Sequence, residues 1–154
     1  MPNSIFEAQV IGITGNIVSV ESDAPIMKNA VAFVQVGEAQ LKGEVLRVQD
    51  RHADLQIFEE TQGVYVGAHV SLTMEMLSAT LGPGLLGTVY DGLQNPLQAL
   101  AKRDGFFLVR GTAVAPLDST QQWSFVPGRK AGERLRAGDS IGDRKSTRLN
   151  SSHR

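Results

Sequence analysis

Six short runs in which apolar and polar residues alternate leave this chain few ways to fold. They cover Phe6–Ile13, Ile17–Glu21, Val31–Val36, Lys42–Val48, Ala53–Phe58 and Ala68–Thr73. Alternation at period two buries one face of a strand and wets the other. Strands this short and regularly spaced, laid out as an open sheet, would leave two unpaired edges. Closing the sheet on itself removes them. Residues 1–73 are therefore expected to form a six-stranded β-barrel. Gly15-Asn16 sits where the first two strands must reverse, and Gly37-Glu38 and Asp50-Arg51 supply later reversals. The alternation points Val10, Val18, Val34, Val45, Ile57 and Val70 into the barrel.

Beyond residue 73 the period changes. Leu85, Leu86, Val89, Tyr90 and Leu93 recur at helical spacing, with Pro83-Gly84 before them and Asn95-Pro96 after, so a helix of about ten residues is expected there. Residues 74–104 are read as a linker and first helix. Residues 105–143 return to β-type runs at Phe106–Val109 and Trp123–Val126, a second and incomplete β-rich region. Residues 144–154 carry four of the fifteen basic residues and no acidic one, and are expected to be a disordered, non-native tail. The fold class is thus mainly β: a small barrel, then a short helix, then an incomplete β region.

Little in the sequence points to chemistry. There is no cysteine, which removes disulfides, thiolate zinc sites and a cysteine nucleophile. Fifteen Lys and Arg against sixteen Asp and Glu lack the basic excess of a nucleic-acid binder. The apolar run near Leu81–Val89 is broken by glycines and a proline and is too short to cross a bilayer, so no membrane insertion is expected. No G-x-x-x-x-G-K-[ST] phosphate loop and no G-x-S-x-G nucleophile elbow around Ser119 or Ser124 is present. His52, His69 and His153 stand apart from one another and read as surface residues. Glu59-Glu60 and Asp91 are the carboxylates best placed to tempt an acid–base assignment, yet strand-end solvation and turn capping explain them more simply. Trp123-Ser124-Phe125 reads as strand residues filling a core, and Arg129, Lys130, Arg134 and Arg136 as a solvated β surface. The reading names no catalytic, cofactor-binding or metal residue.

Four blocks carry a resemblance. Gly43-Glu44-Val45-Leu46, the stretch Leu55–Val64, Leu81-Gly82-Pro83-Gly84-Leu85-Leu86-Gly87 and Val89–Leu97 occur in the order found in the first part of the catalytic A (alpha) subunit of V-type and A-type rotary ATPases. The resemblance covers about residues 5–142, with Asn95 standing where an arginine is often found, as in a bacterial branch. It implies a barrel that joins neighbouring subunits into the crown of a hexameric ring with alternating B subunits. The first elements of a nucleotide-binding domain follow, and Arg110-Gly111 and Trp123-Ser124-Phe125 look like a β-rich insertion.

The parent protein would use ATP or ADP with Mg²⁺ and couple hydrolysis or synthesis to H⁺ or Na⁺ transport, in a cytoplasmic complex peripheral to the membrane. The family's phosphate loop and catalytic glutamate lie beyond the resembling region, so no cofactor is expected on this chain. Two other readings stay open. One is a free-standing barrel interaction module. The other is a lipoyl- or biotinyl-like carrier, prompted by Gly132–Asp139 but lacking its modifiable lysine.

Overall fold

The computed structural model describes residues 5–105, 107 and 109–145. Strands β1 (Ile5–Thr14), β2 (Ile17–Glu21), β3 (Ala30–Val36), β4 (Ala39–Gln49), β5 (His52–Ile57) and β6 (His69–Met76) form a closed barrel in the order β1-β2-β5-β4-β3-β6. All six pairings are antiparallel, and β1 returns to β6 through Ile5↔Thr73 to Gln9↔His69. The expected strands are all present, with ends displaced by up to three residues. Two-residue reversals join Thr14 to Ile17, Val36 to Ala39 and Gln49 to His52, with Gly15, Gly37 and Asp50 at φ of 61°, 59° and 53°. Glycine takes that left-handed backbone without a Cβ clash, and aspartate is among the few residues that tolerate it.

All six residues assigned to the interior are buried, each at 1% exposure or less. They share the core with Ala8, Val20, Ala30, Ala32, Leu41, Ala53, Leu55, Ala68 and Leu72. A six-stranded barrel is narrow, so small and large side chains must alternate around each layer. The rung Ala32↔Gly43↔Ile57 shows why. A Cβ on Gly43 would lie 2.6 Å from the Gln56 carbonyl oxygen and 2.7 Å from Ile57 Cδ1.

Three irregularities bend the sheet shut. Ile11 is an extra residue between the Val10 and Gly12 pairs, Leu46 one between the Val45 and Arg47 pairs, and Thr73–Glu75 bulge opposite Val31. Bulges of this kind sharpen twist and curvature. Thr73 completes its bulge by donating its hydroxyl to the Val31 carbonyl at 2.7 Å.

The helix lies elsewhere than expected. Residues 85–93 form turns, and the one helix among the described residues, α1, spans Leu97–Asp104. Gly84 and Gly87 take φ of 95° and 85°, which no right-handed helix can accommodate, so the apolar spacing of Leu85–Leu93 ends up in two successive tight turns and a loop. Pro96 starts the helix instead of ending one: its fixed φ of −65° leads into the first turn, and its carbonyl accepts the Ala99 and Leu100 N–H groups at 3.0 Å. Lys102 and Arg103 complement the C-terminal end, where Gly105 follows. Leu100 is the helix residue that becomes buried.

The chain divides into two compact units, residues 1–80 with 89–116, and residues 81–88 with 117–154. In the second, β7 (Ser124–Pro127) pairs with β8 (Gly142–Lys145), Phe125 opposite Arg144 and Ser124 opposite Lys145. The backbone at 144 and 145 is therefore strand, not the start of a disordered tail, and residues 146–154 lie outside the described set. All four β7 residues are exposed, which corrects the reading of Trp123-Ser124-Phe125 as a core-filling strand. Trp123 instead covers Gly84, where a Cβ would lie 3.3 Å from the indole ring. The run at Phe106–Val109 forms no strand at Phe107 or Val109, and Phe106 and Leu108 are not among the described residues.

Val45→Asp is expected to unfold the barrel by burying an unpaired charge. A cooperative melt at the parental temperature would contradict that placement. Gly43→Ala should cost about 1–3 kcal/mol in urea denaturation, because the added methyl meets strand backbone; an unchanged midpoint would show that β4 and β5 can part there freely.

Candidate assembly site

The carboxylates that drew attention in the sequence serve structure. Glu59 Oε2 accepts the Gly111 N–H at 2.7 Å, and Arg110 beside it donates to the carbonyls of Glu60, at 3.2 Å, and Gln62. These bonds hold the 110–111 segment against the end of β5. Asp91 organises the turn after Tyr90. Its Oδ1 accepts the backbone N–H of Leu93 at 2.9 Å and of Asn95 at 2.8 Å, and its Oδ2 accepts the Asn95 side chain at 2.8 Å. Partial burial alone would raise the Asp91 carboxyl. The Asn95 side chain and backbone, the Leu93 N–H and the field of Lys42 outweigh it, so the Asp91 carboxyl is held below its ordinary value.

A cleft of about 400 Å³ opens beside these groups, lined in part by Phe58, Glu59, Leu77, Asp91 and Leu100. Both of its carboxylates are already engaged as acceptors, which leaves neither as a ready general base. Among the described residues no three His, Asp or Glu side chains come together as a metal site. His52 and His69 are exposed on the barrel, and His153 lies outside the described residues. Arg129, Lys130, Arg134 and Arg136 are exposed as expected, but in the loop between β7 and β8 and not on strands. The Lys130 N–H donates to Glu133 and the Arg136 N–H to Asp139.

What the barrel does offer is a shaped outer surface. The rung Gly12↔Ser19↔Asp54↔Arg47 crosses four strands. The Ser19 hydroxyl donates to Asp54 Oδ1 at 2.8 Å, and Arg47 Nε and Nη2 donate to Oδ2 at 3.0 and 2.5 Å. Ser19 first, then Arg47, holds the Asp54 carboxyl below its ordinary value. At the two ends of this rung stand the bulge residues Ile11 and Leu46, 41% and 40% exposed. A polar bar flanked by two apolar side chains, on strands locked by closure, has the mixed composition of a contact surface. Ile11 and Leu46 are not among the sequence-derived candidates, although the sequence carries their signal. Val10-Ile11 and Val45-Leu46 are adjacent apolar pairs that break the alternation, as a bulge must.

Residues 10–74 match the β-barrel domain of the ATP synthase alpha/beta family. The barrel therefore matches that domain. The chain is 50% identical over 133 residues to the V-type ATP synthase alpha chain 1 of Treponema pallidum (strain Nichols), a match covering 86% of this chain and 23% of that protein. It is 46% identical over 136 residues to the V-type ATP synthase alpha chain of Treponema denticola, covering 88% of this chain and 23% of that protein. The counterpart in Borrelia recurrentis (strain A1) is 43% identical over 136 residues, covering 88% of this chain and 24% of that protein. The chain thus spans about a quarter of the length of these curated relatives. The earlier resemblance to V-type alpha subunits is borne out. No helix among the described residues is long and apolar enough to cross a membrane.

The lowered Asp91 pKa sets a pH dependence. A carboxylate whose folded pKa is depressed contributes stability above its unfolded value and loses it as pH falls through the folded one. Asp91→Asn should thus cost its own turn about 1–3 kcal/mol of local opening free energy at pH 6, with the gap to the parent closing as pH falls through the lowered folded value. A gap that stays constant down to pH 2 would show that the charge on Asp91 contributes nothing.

Proposed function

We propose that this chain supplies the ring-assembly barrel of a V-type ATPase alpha subunit, packing beside B subunits in an alternating hexameric ring. The observation that carries the reading is the closed, bulge-curved barrel with alpha-chain identity of 42–50% along most of the chain. A closed barrel is a rigid collar: it has no free strand edge to pair with, so neighbours must meet it through side chains such as Ile11, Leu46 and the Ser19–Asp54–Arg47 bar. In this reading ATP or ADP with Mg²⁺ binds elsewhere in a longer protein, which couples nucleotide turnover to H⁺ or Na⁺ transport. The complex is peripheral to the membrane on its cytoplasmic side.

Native mass spectrometry of the 154-residue chain with the B subunit from the same source tests the proposal. A heteromer is expected, weakened about tenfold by Leu46→Glu or Ile11→Glu with little change in melting temperature. A chain that stays alone at tens of micromolar, or saturable Mg²⁺–ATP binding by the chain itself in calorimetry, would overturn it.

A further inference from the structure

The two sequence blocks that looked most distinctive, Leu81–Gly87 and Val89–Leu97, are not explained by ring assembly through the barrel wall. Their placement gives them a different task. The chain leaves or re-enters the barrel-containing unit at three places: after Thr80, before Val89 and after Pro116. Within that unit, all three are hydrogen-bonded to one loop.

At the first place, the Gln94 side chain imitates a strand. Its Oε1 accepts the Thr80 N–H at 2.6 Å and its Nε2 donates to the Thr80 carbonyl at 2.7 Å. At the second, the Val89 carbonyl accepts the Leu97 N–H at 2.9 Å, beside an antiparallel bridge between Tyr90 and Pro96. At the third, the Tyr90 hydroxyl donates to the Pro116 carbonyl at 2.9 Å, while Asn95 Oδ1 accepts the Val114 N–H at 3.0 Å. The loop itself is braced from inside. Asp91 accepts three hydrogen bonds across it, the Asp91 N–H returns to the Asn95 carbonyl at 3.1 Å, and Asn95 is buried with both ends of its amide committed. Gln94 holds a left-handed φ of 63°, a conformation that persists when the surroundings enforce it. Immediately outside the anchor lies Leu81–Gly87, with three glycines, two long turn bonds of 3.3 and 3.4 Å, and one bond of 3.0 Å from the Thr88 hydroxyl to the Gly84 carbonyl.

We propose that the Val89–Leu97 loop is a common anchor for all three chain passages, a conformational device with Asp91 as its keystone. Segments outside it can change course while the barrel and the anchored segments beside the loop keep their fold. A rigid, internally bonded loop next to a glycine-rich segment is how a chain confines bending to a few chosen residues. The inference does not depend on the assembly reading, since every contact it uses lies within one unit.

Amide hydrogen exchange on the full 154-residue chain, read by NMR, tests it. Thr80, Leu97 and Val114 report the three anchored places, and Ile57, whose N–H is bonded to the Asn16 carbonyl at 2.9 Å, reports the barrel. Gln94→Ala removes one tie and should speed exchange at Thr80 by about three- to tenfold while Leu97 and Val114 hold their rates. Asp91→Asn touches none of the three reporters directly, yet should speed all three together with Ile57 unchanged. An unchanged Thr80 rate in Gln94→Ala overturns the proposal. So does Asp91→Asn acceleration confined to Leu93 and Asn95, or spread uniformly to Ile57, because the loop would then be either a local turn or inseparable from the barrel.

Discussion

The pairing of β1 with β6 is the contact on which the rest depends. Without it the six strands are an open sheet with a long apolar face and two reactive edges. With it they enclose a narrow interior in which every strand of the wall has a neighbour on both sides. Closure then dictates composition. Valine and alanine line most of the interior, Gly43 occupies the position where a side chain would meet β5, and Leu41, Leu55, Ile57 and Leu72 fill the volume left over. The same closure forces curvature, which the chain achieves by inserting Ile11 and Leu46. The residues that let the barrel shut are thereby the ones pushed out onto its surface. Architecture and contact surface have one origin.

Charge is used sparingly and locally. Asp54 is spanned by Ser19 and Arg47 on the wall, Glu59 receives the Gly111 amide, and Asp91 gathers the N–H groups of its own turn. In each case the carboxylate's acceptors are matched by donors a few ångströms away. None is left in the desolvated, unmatched state that marks a group tuned for proton transfer. Asn95 shows the same economy. One end of its amide donates to Asp91 and the other accepts from Val114, so the residue joins two loop segments, the second 19 positions further along the sequence.

Much of the barrel was legible because alternation at period two is a direct imprint of a wall with one buried face. Val10, Val18, Val34, Val45, Ile57 and Val70 could be named from it alone. The bulges were written just as plainly, in the doublets Val10-Ile11 and Val45-Leu46, but a doublet reads as extra hydrophobicity until strand pairing is known. The helix was misplaced because two signals coincide around Pro96: Asn-Pro can end a helix or begin one, and backbone angles at Gly84 and Gly87, not apolar spacing, decide which. Ser124–Pro127 lost its expected burial because alternation records which residues share a face and not whether anything covers that face. The Thr80–Gln94 and Tyr90–Pro116 ties had no local signature at all. They join residues 14 and 26 positions apart, and only the folded chain brings them together.

The strand order also carries a consequence for synthesis. The first strand of the barrel to be made, β1, finds β2 within a few residues, but its other edge stays unmatched until β6 has been translated, some sixty residues later. During that interval a nascent chain displays a bare ribbon edge that any similar strand on a neighbouring ribosome could occupy. The polar residues Glu7 and Gln9 along that strand, and the speed with which the sixth strand emerges, are what stand between a newborn molecule and clumping.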